Sequence, residues 1–367
     1  MARVAPKSSI ADLEPYKPAI RKPSGEEQQV IRLSLNEGAL GPSPKAALAI
    51  SEAAKSLHRY PNVPTSGLAH AIAERHGIDP ERIVVGCGSD ELIQALCFAY
   101  LEPGEELIYT EYAFRLFPMA AKIAGGVPVM APDDGFTASV DSILAKVTEK
   151  TKLVFLANPN NPTGTYVPTD EVRRLRASLP GNVMLVLDAA YAEYVQRNDY
   201  TAGIELVDET DNTIMLRTFS KMYGMAGLRL GWAYACQEIC DVLLAVKPPF
   251  GVNNVAVLGG IATMEDVEFF ERSLAHNAAW LAWTEEELKK LGLTVHPTVA
   301  NFFMVTFPTE REKGAEAARD FLAGRNILVR GLGDYGVENS LRIAVGTGDE
   351  MRALRDALAE FLGISGK

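Results

Sequence analysis

Short apolar, β-branched runs alternate with longer helical patterns through the middle of this chain, and that alternation restricts the fold more than any other feature. Strands are expected at residues 82–85, 106–110, 127–130, 152–156, 183–187, 213–217 and 228–235, most of them bounded by Gly, Pro or Asn. Such spacing means βαβ units, hence an α/β fold with a mainly parallel seven-stranded sheet.

Residues 90–100 (DELIQALCFAY) and 169–178 read as helices that cover the sheet, the second closed before Pro180-Gly181. Beyond about Pro248 the texture changes. A helical stretch over 254–291 precedes apolar runs at 300–307 and 341–345, which flank a helical 313–324. The expected organisation is an N-terminal arm with part of a small domain (1–35), a large domain (36–250) and a small α+β domain (251–367).

Length and charge narrow the function. A chain of 367 residues has room for about two folding units and a sizeable core. Its 36 basic and 47 acidic residues give a net charge of −11, which repels phosphate backbones, so nucleic acid is not an expected partner. Four cysteines (Cys87, Cys97, Cys236, Cys240) make neither a disulfide framework nor a zinc set, and read as reduced thiols. No window reaches the roughly 18 apolar residues of a membrane span. The expectation is a cytoplasmic enzyme or binding protein with no metal.

The chemistry-bearing residues gather at strand ends. TFSKMYGMAGLRLGW (218–232) puts Ser220 and Lys221 directly after a strand, where open α/β sheets place ligand chemistry. NPNNPTG (158–164) follows another strand and offers the Asn161 amide. Asp188 ends a third, where a lone buried carboxylate requires a cationic partner, and Tyr191 follows three residues later. RIVVGCGSD (82–90) leads into a helix through a glycine turn, and the N–H groups about Ser89 and Asp90 suit an anion. A plain turn or a capped helix would look the same one at a time. Together the residues meet the demands of pyridoxal 5'-phosphate: an amine, an acid for the pyridine nitrogen, donors to the phenolate oxygen and a phosphate clamp.

Ser220-Lys221 followed by Gly227-x-Arg229-x-Gly231, with Asn161-Pro162-Thr163-Gly164 and Asp188-x-x-Tyr191 upstream, resembles the fold-type-I pyridoxal-phosphate aminotransferases. Residues 35–44 (LNEGALGPSP), Arg59-Tyr60-Pro61, 85–91 (VGCGSDE) and 341–347 (LRIAVGT) are similar to the histidinol-phosphate aminotransferase branch. The resemblance runs from about Leu13 almost to the end.

It implies that Lys221 bonds to the cofactor aldehyde and then acts as acid and base. Asp188 would pair with the pyridine nitrogen, and Asn161 and Tyr191 would hold the phenolate oxygen. Ser220, Arg229, Ser89 and Asp90 would take the phosphate, and Phe114 would stack on the ring. Tyr60 would reach the partner subunit's cofactor phosphate in a homodimer with shared sites. Arg342 would receive the amino donor's carboxylate, with Arg330 and Tyr16 near the substrate phosphate; Asn161 also borders the substrate.

The implied reaction is transamination of L-histidinol phosphate with 2-oxoglutarate, giving imidazole acetol phosphate and glutamate. An aromatic amino acid aminotransferase, a phosphothreonine-type decarboxylase and a non-catalytic binding protein on the same scaffold are the alternatives. Three stretches depart from the family pattern: Gly38-Ala39-Leu40, Lys17-Pro18-Ala19, and Arg330 followed by Gly331. All three are expected to border the substrate and to leave the cofactor side untouched.

Overall fold

A computed structural model describes residues 4–11, 13, 30–61 and 66–364 of the chain. A short strand β1 (Ile31–Arg32) comes first. Seven strands follow: β2 (Ile83–Gly86), β3 (Glu106–Thr110), β4 (Val127–Ala131), β5 (Thr151–Ala157), β6 (Met184–Asp188), β7 (Thr213–Thr218) and β8 (Gly231–Tyr234). They form one sheet in the order β2-β8-β7-β6-β5-β3-β4, and only β8 runs against its neighbours.

The central strands β6 and β7 are buried at every position, and β5 at all but one, because helices cover both faces. That is why their sequences are continuous apolar runs instead of alternating ones. Polar residues appear where the runs stop, at Asn158, Asp188 and Thr218, on one edge of the sheet. The backbone N–H of Asn158 donates to the Asp188 carbonyl (2.9 Å), so the β5 and β6 termini are tied side by side.

The remaining strands are β9 (Thr294–Val295), β10 (Phe302–Thr306), β11 (Ile327–Leu328), β12 (Arg330–Gly331) and β13 (Ser340–Ala344). Four of them make an antiparallel sheet in the order β12-β13-β10-β9, while β11 pairs in parallel with β1. The helix Gly348–Leu362 closes this layer with a Thr347/Glu350 capping box and a left-handed Gly363 at its end.

Two expectations need correction. The helical stretch 254–291 is two helices, Asn254–Met264 and Val267–Lys290. Asp266, at ψ 67°, leaves helical geometry between them and stands at the start of the second, a position that favours a short acidic residue. The last strand of the large sheet begins at Gly231 and not at 228, because 226–228 form a 3-10 turn and Arg229 is left-handed (φ 54°). Among the described residues no helix is long and apolar enough to cross a membrane.

Candidate active site

Lys221 sits in the turn that follows β7, and its Nζ donates to the Leu35 carbonyl (3.0 Å) while lying 5.8 Å from the Tyr191 ring centre. Burial, with Arg342 nearby, lowers the amine to about 8. Asp188 closes β6; its Oδ1 accepts from the Ala190 N–H (3.2 Å), and burial pushes the carboxyl up to about 7 against the opposing pull of Lys221. Burial likewise pushes the Tyr191 hydroxyl up to about 12, although Arg342 and a 2.9 Å hydrogen bond from Asn36 Nδ2 pull it down.

The anion cradle is built around Arg229. The left-handed backbone at Arg229 turns its guanidinium onto the glycine turn, where it donates to Ser220 Oγ (3.3 Å) and pairs with Asp90 (3.1 Å). A side chain at Gly88 would put its Cβ 2.6 Å from Arg229 Nη2, so the residue must be glycine for the guanidinium to lie there. Two turn N–H groups are already used: Cys87 donates to Glu91 Oε2 (2.7 Å) and Gly88 to the Gly86 carbonyl (2.8 Å). What the turn offers an anion is the start of the helix Ser89–Tyr100, with the Ser89 hydroxyl and the Arg229 guanidinium. The Asp90 carboxylate serves Arg229.

On the opposite side Arg342, buried on β13, donates to Asn161 Oδ1 and to the Ser34 carbonyl (2.6 Å). Arg330 stands opposite it in the β12–β13 ladder and is paired with Asp334. Phe114 is half-buried with its ring edge-on to Phe117. Tyr60 is a surface residue, 79% exposed, with its ring against Phe250 (4.9 Å). Tyr16 lies outside the described residues.

Several site residues have no counterpart in the sequence reading. Asn36, buried and left-handed (φ 56°), holds Tyr191, and its own carbonyl accepts from Asn301 Nδ2 (3.1 Å). Asn158 pins the turn by a pair of bonds with Val167 (3.0 and 2.8 Å), and Asn160 Nδ2 donates to the Tyr112 carbonyl (3.2 Å). The signals were present in LNEG and NPNNPTG, but nothing there distinguishes one asparagine from the next. One departure from the family pattern lies elsewhere than expected: a Cβ on Gly38 would meet the Lys221 carbonyl at 2.5 Å, so this glycine lets its segment press on the lysine's own turn.

The sequence matches the family "Aminotransferase class I and II" over residues 28–358. The chain belongs to this aminotransferase family. It is 48% identical to the histidinol-phosphate aminotransferase of Paramagnetospirillum magneticum over 99% of this chain and 100% of that one. The enzyme of the same name from Rhodopseudomonas palustris is 46% identical over 99% of each chain. The crystal structure of Sinorhizobium meliloti histidinol-phosphate aminotransferase in complex with pyridoxal-5'-phosphate superposes with a TM-score of 0.85 at 28% identity, covering 92% of both chains. The fold, a mainly parallel seven-stranded sheet with a smaller antiparallel layer, is thus shared with that solved aminotransferase structure.

Proposed function

We propose that this aminotransferase binds pyridoxal 5'-phosphate and exchanges the amine of L-histidinol phosphate with 2-oxoglutarate in the cytoplasm, as a homodimer. The single observation that carries the reading is the convergence of a half-buried amine, Lys221, and a buried acid, Asp188, on one sheet edge beside the Arg229 cradle. These residues fit the cofactor. Gly88 leaves the space for Arg229 that a Cβ would fill, and Ser220 and the helix start complete a phosphate seat. When bound, the cofactor supplies an aldehyde that captures amines and a ring that draws electrons from the carbon being deprotonated.

This chain's own residues do the rest. Burial brings the Lys221 amine down to about 8, so a larger share of it is neutral near physiological pH than of an ordinary lysine, and that neutral form accepts the proton from the substrate's α-carbon. Asp188, kept from water, holds a proton or a cationic N–H on its carboxylate. Asn161 and Tyr191 orient the ring, with Asn36 fixing the Tyr191 hydroxyl. Arg342 receives a carboxylate through its planar fork, and Arg330, on the same face of its sheet, a more distant anion. Leu48, Leu57, Tyr60, Leu244, Phe250 and Leu258 are exposed apolar residues that support a subunit interface. The four cysteines are free, which supports a reducing compartment.

The test is a panel of amines offered to the holoenzyme with 2-oxoglutarate, with glutamate followed as product. Histidinol phosphate is expected to have the highest kcat/KM. Phenylalanine or tyrosine ahead of it would make this an aromatic aminotransferase, and release of carbon dioxide from a phosphorylated amino acid would make it a decarboxylase.

A further inference from the structure

Arg330 and Arg342 are direct partners in the antiparallel β12–β13 ladder, so both side chains leave the same face of the sheet. A third guanidinium, Arg115, comes from the large-sheet side, just before the helix Leu116–Ala124. All three cations act on the hydroxyl of the half-buried Tyr335, and Arg115 lies 5.9 Å from that ring's centre. Like charges gathered in this way repel unless an anion sits among them.

The anion in place is Asp334, in the 3-10 turn Gly333–Tyr335. Its carboxylate pairs with Arg330 Nη2 and with Arg115 Nη1 (3.2 Å), and Arg115 Nη1 also donates to the Asp334 carbonyl (2.7 Å). The Asp334 and Arg115 side chains are 36% and 49% exposed, so the carboxylate can turn into water without a burial cost. We propose that Asp334 occupies, in the free enzyme, the place of the substrate's outer anion, and that Arg115 is a second guanidinium of that anion site beside Arg330. A phosphate dianion brings three acceptor oxygens and more charge than a carboxylate, so it competes with Asp334 for the two guanidiniums more strongly than a carboxylate does. Asp334 thereby sets a threshold that favours phosphate-bearing amines.

The inference rests on the proposed substrate class, and the test keeps the two apart by reading inorganic phosphate binding to the holoenzyme, which needs no turnover. Asp334→Asn is expected to tighten phosphate about fivefold, the upper end of the scale of a solvent-exposed ion pair in competition. Arg115→Gln is expected to weaken it by about the same factor, and Arg330→Gln to weaken it further. In steady state, Asp334→Asn lowers KM for the phosphorylated amine without raising kcat, and Asp334→Glu restores parental values. Should Asp334→Asn fail to fold, Asp334→Ser carries the same expectation. Unchanged or weaker phosphate binding on removal of the carboxylate overturns the role of Asp334, and parental binding in Arg115→Gln overturns that of Arg115. A parent enzyme that binds phosphate in this way but ignores histidinol phosphate would instead refute the substrate assignment.

Discussion

Lys221 Nζ is held by the carbonyl of Leu35, 186 residues away in the chain, at 3.0 Å. Burial, with the Arg342 charge behind it, makes protonation of this amine costly and lowers it from 10.5 to about 8. Below about pH 8 the amine is charged and cannot attack an aldehyde. Covalent uptake of pyridoxal phosphate by the apoprotein should therefore rise with pH about a midpoint near 8, where an ordinary lysine would still be almost wholly charged. Borohydride reduction followed by peptide mass mapping should place the pyridoxyl group on Lys221. A midpoint above 9, or another lysine labelled, would contradict the assignment.

Asp188 gives a pH dependence of the opposite kind. Its carboxyl is raised from 3.8 to about 7, chiefly by burial, so the folded apoprotein holds a proton that the unfolded chain has already released. Apoprotein stability should fall as pH rises from about 4 to about 7, by an amount on the order of 3 kcal/mol. Asp188→Asn removes this penalty: the apo variant should be more stable than the parent at pH 7 to 8, yet far slower in transamination. Urea melts of both apoproteins across that range test it. A stability difference that does not change with pH would show that Asp188 is ionised throughout.

The sequence was legible where chemistry follows a strand directly. Lys221, Asp188, Asn161 and Arg229 each stand next to a β-branched run and a turn, so their placement on one sheet edge follows from the α/β rule. Asn36, Ser34 and Asn301 were not legible, because they act through partners 155, 308 and 265 residues distant, and no local pattern encodes such a pairing. The break at Glu265-Asp266 was hidden because helical apolar spacing continues on either side of it. Asp334 resembled any surface acid until β12 and β13 put Arg330 opposite Arg342.

Beneath the site, Arg217 and Glu193 form an ion pair at 2.9 Å with side chains only 6% and 3% exposed. Arg217 lies on β7, four residues before Lys221, with its guanidinium 5.6 Å from the Trp232 ring centre. Removing one partner leaves the other charge buried and uncompensated, so Arg217→Met should cost about 3–5 kcal/mol in urea unfolding. The double variant Arg217→Met/Glu193→Gln should regain most of that loss. A single variant that costs less than about 1 kcal/mol, the range of exposed pairs, would mean that water reaches the pair.

Tyr60 offers the most direct check on the assembly. Its ring is largely exposed, with the Phe250 ring beside it at 4.9 Å. If it completes the neighbouring subunit's phosphate seat, Tyr60→Ala and Lys221→Ala homodimers are each defective at both sites. Random exchange between equal amounts makes half of the dimers hybrid. One of the two sites in each hybrid then has both residues intact, so about a quarter of the parental activity should return in a twofold-symmetric dimer. Native mass spectrometry establishes that subunits have exchanged. Hybrids that form and stay inactive would assign Tyr60 to its own subunit, and the interface reading of this surface would then rest on the neighbouring apolar residues alone.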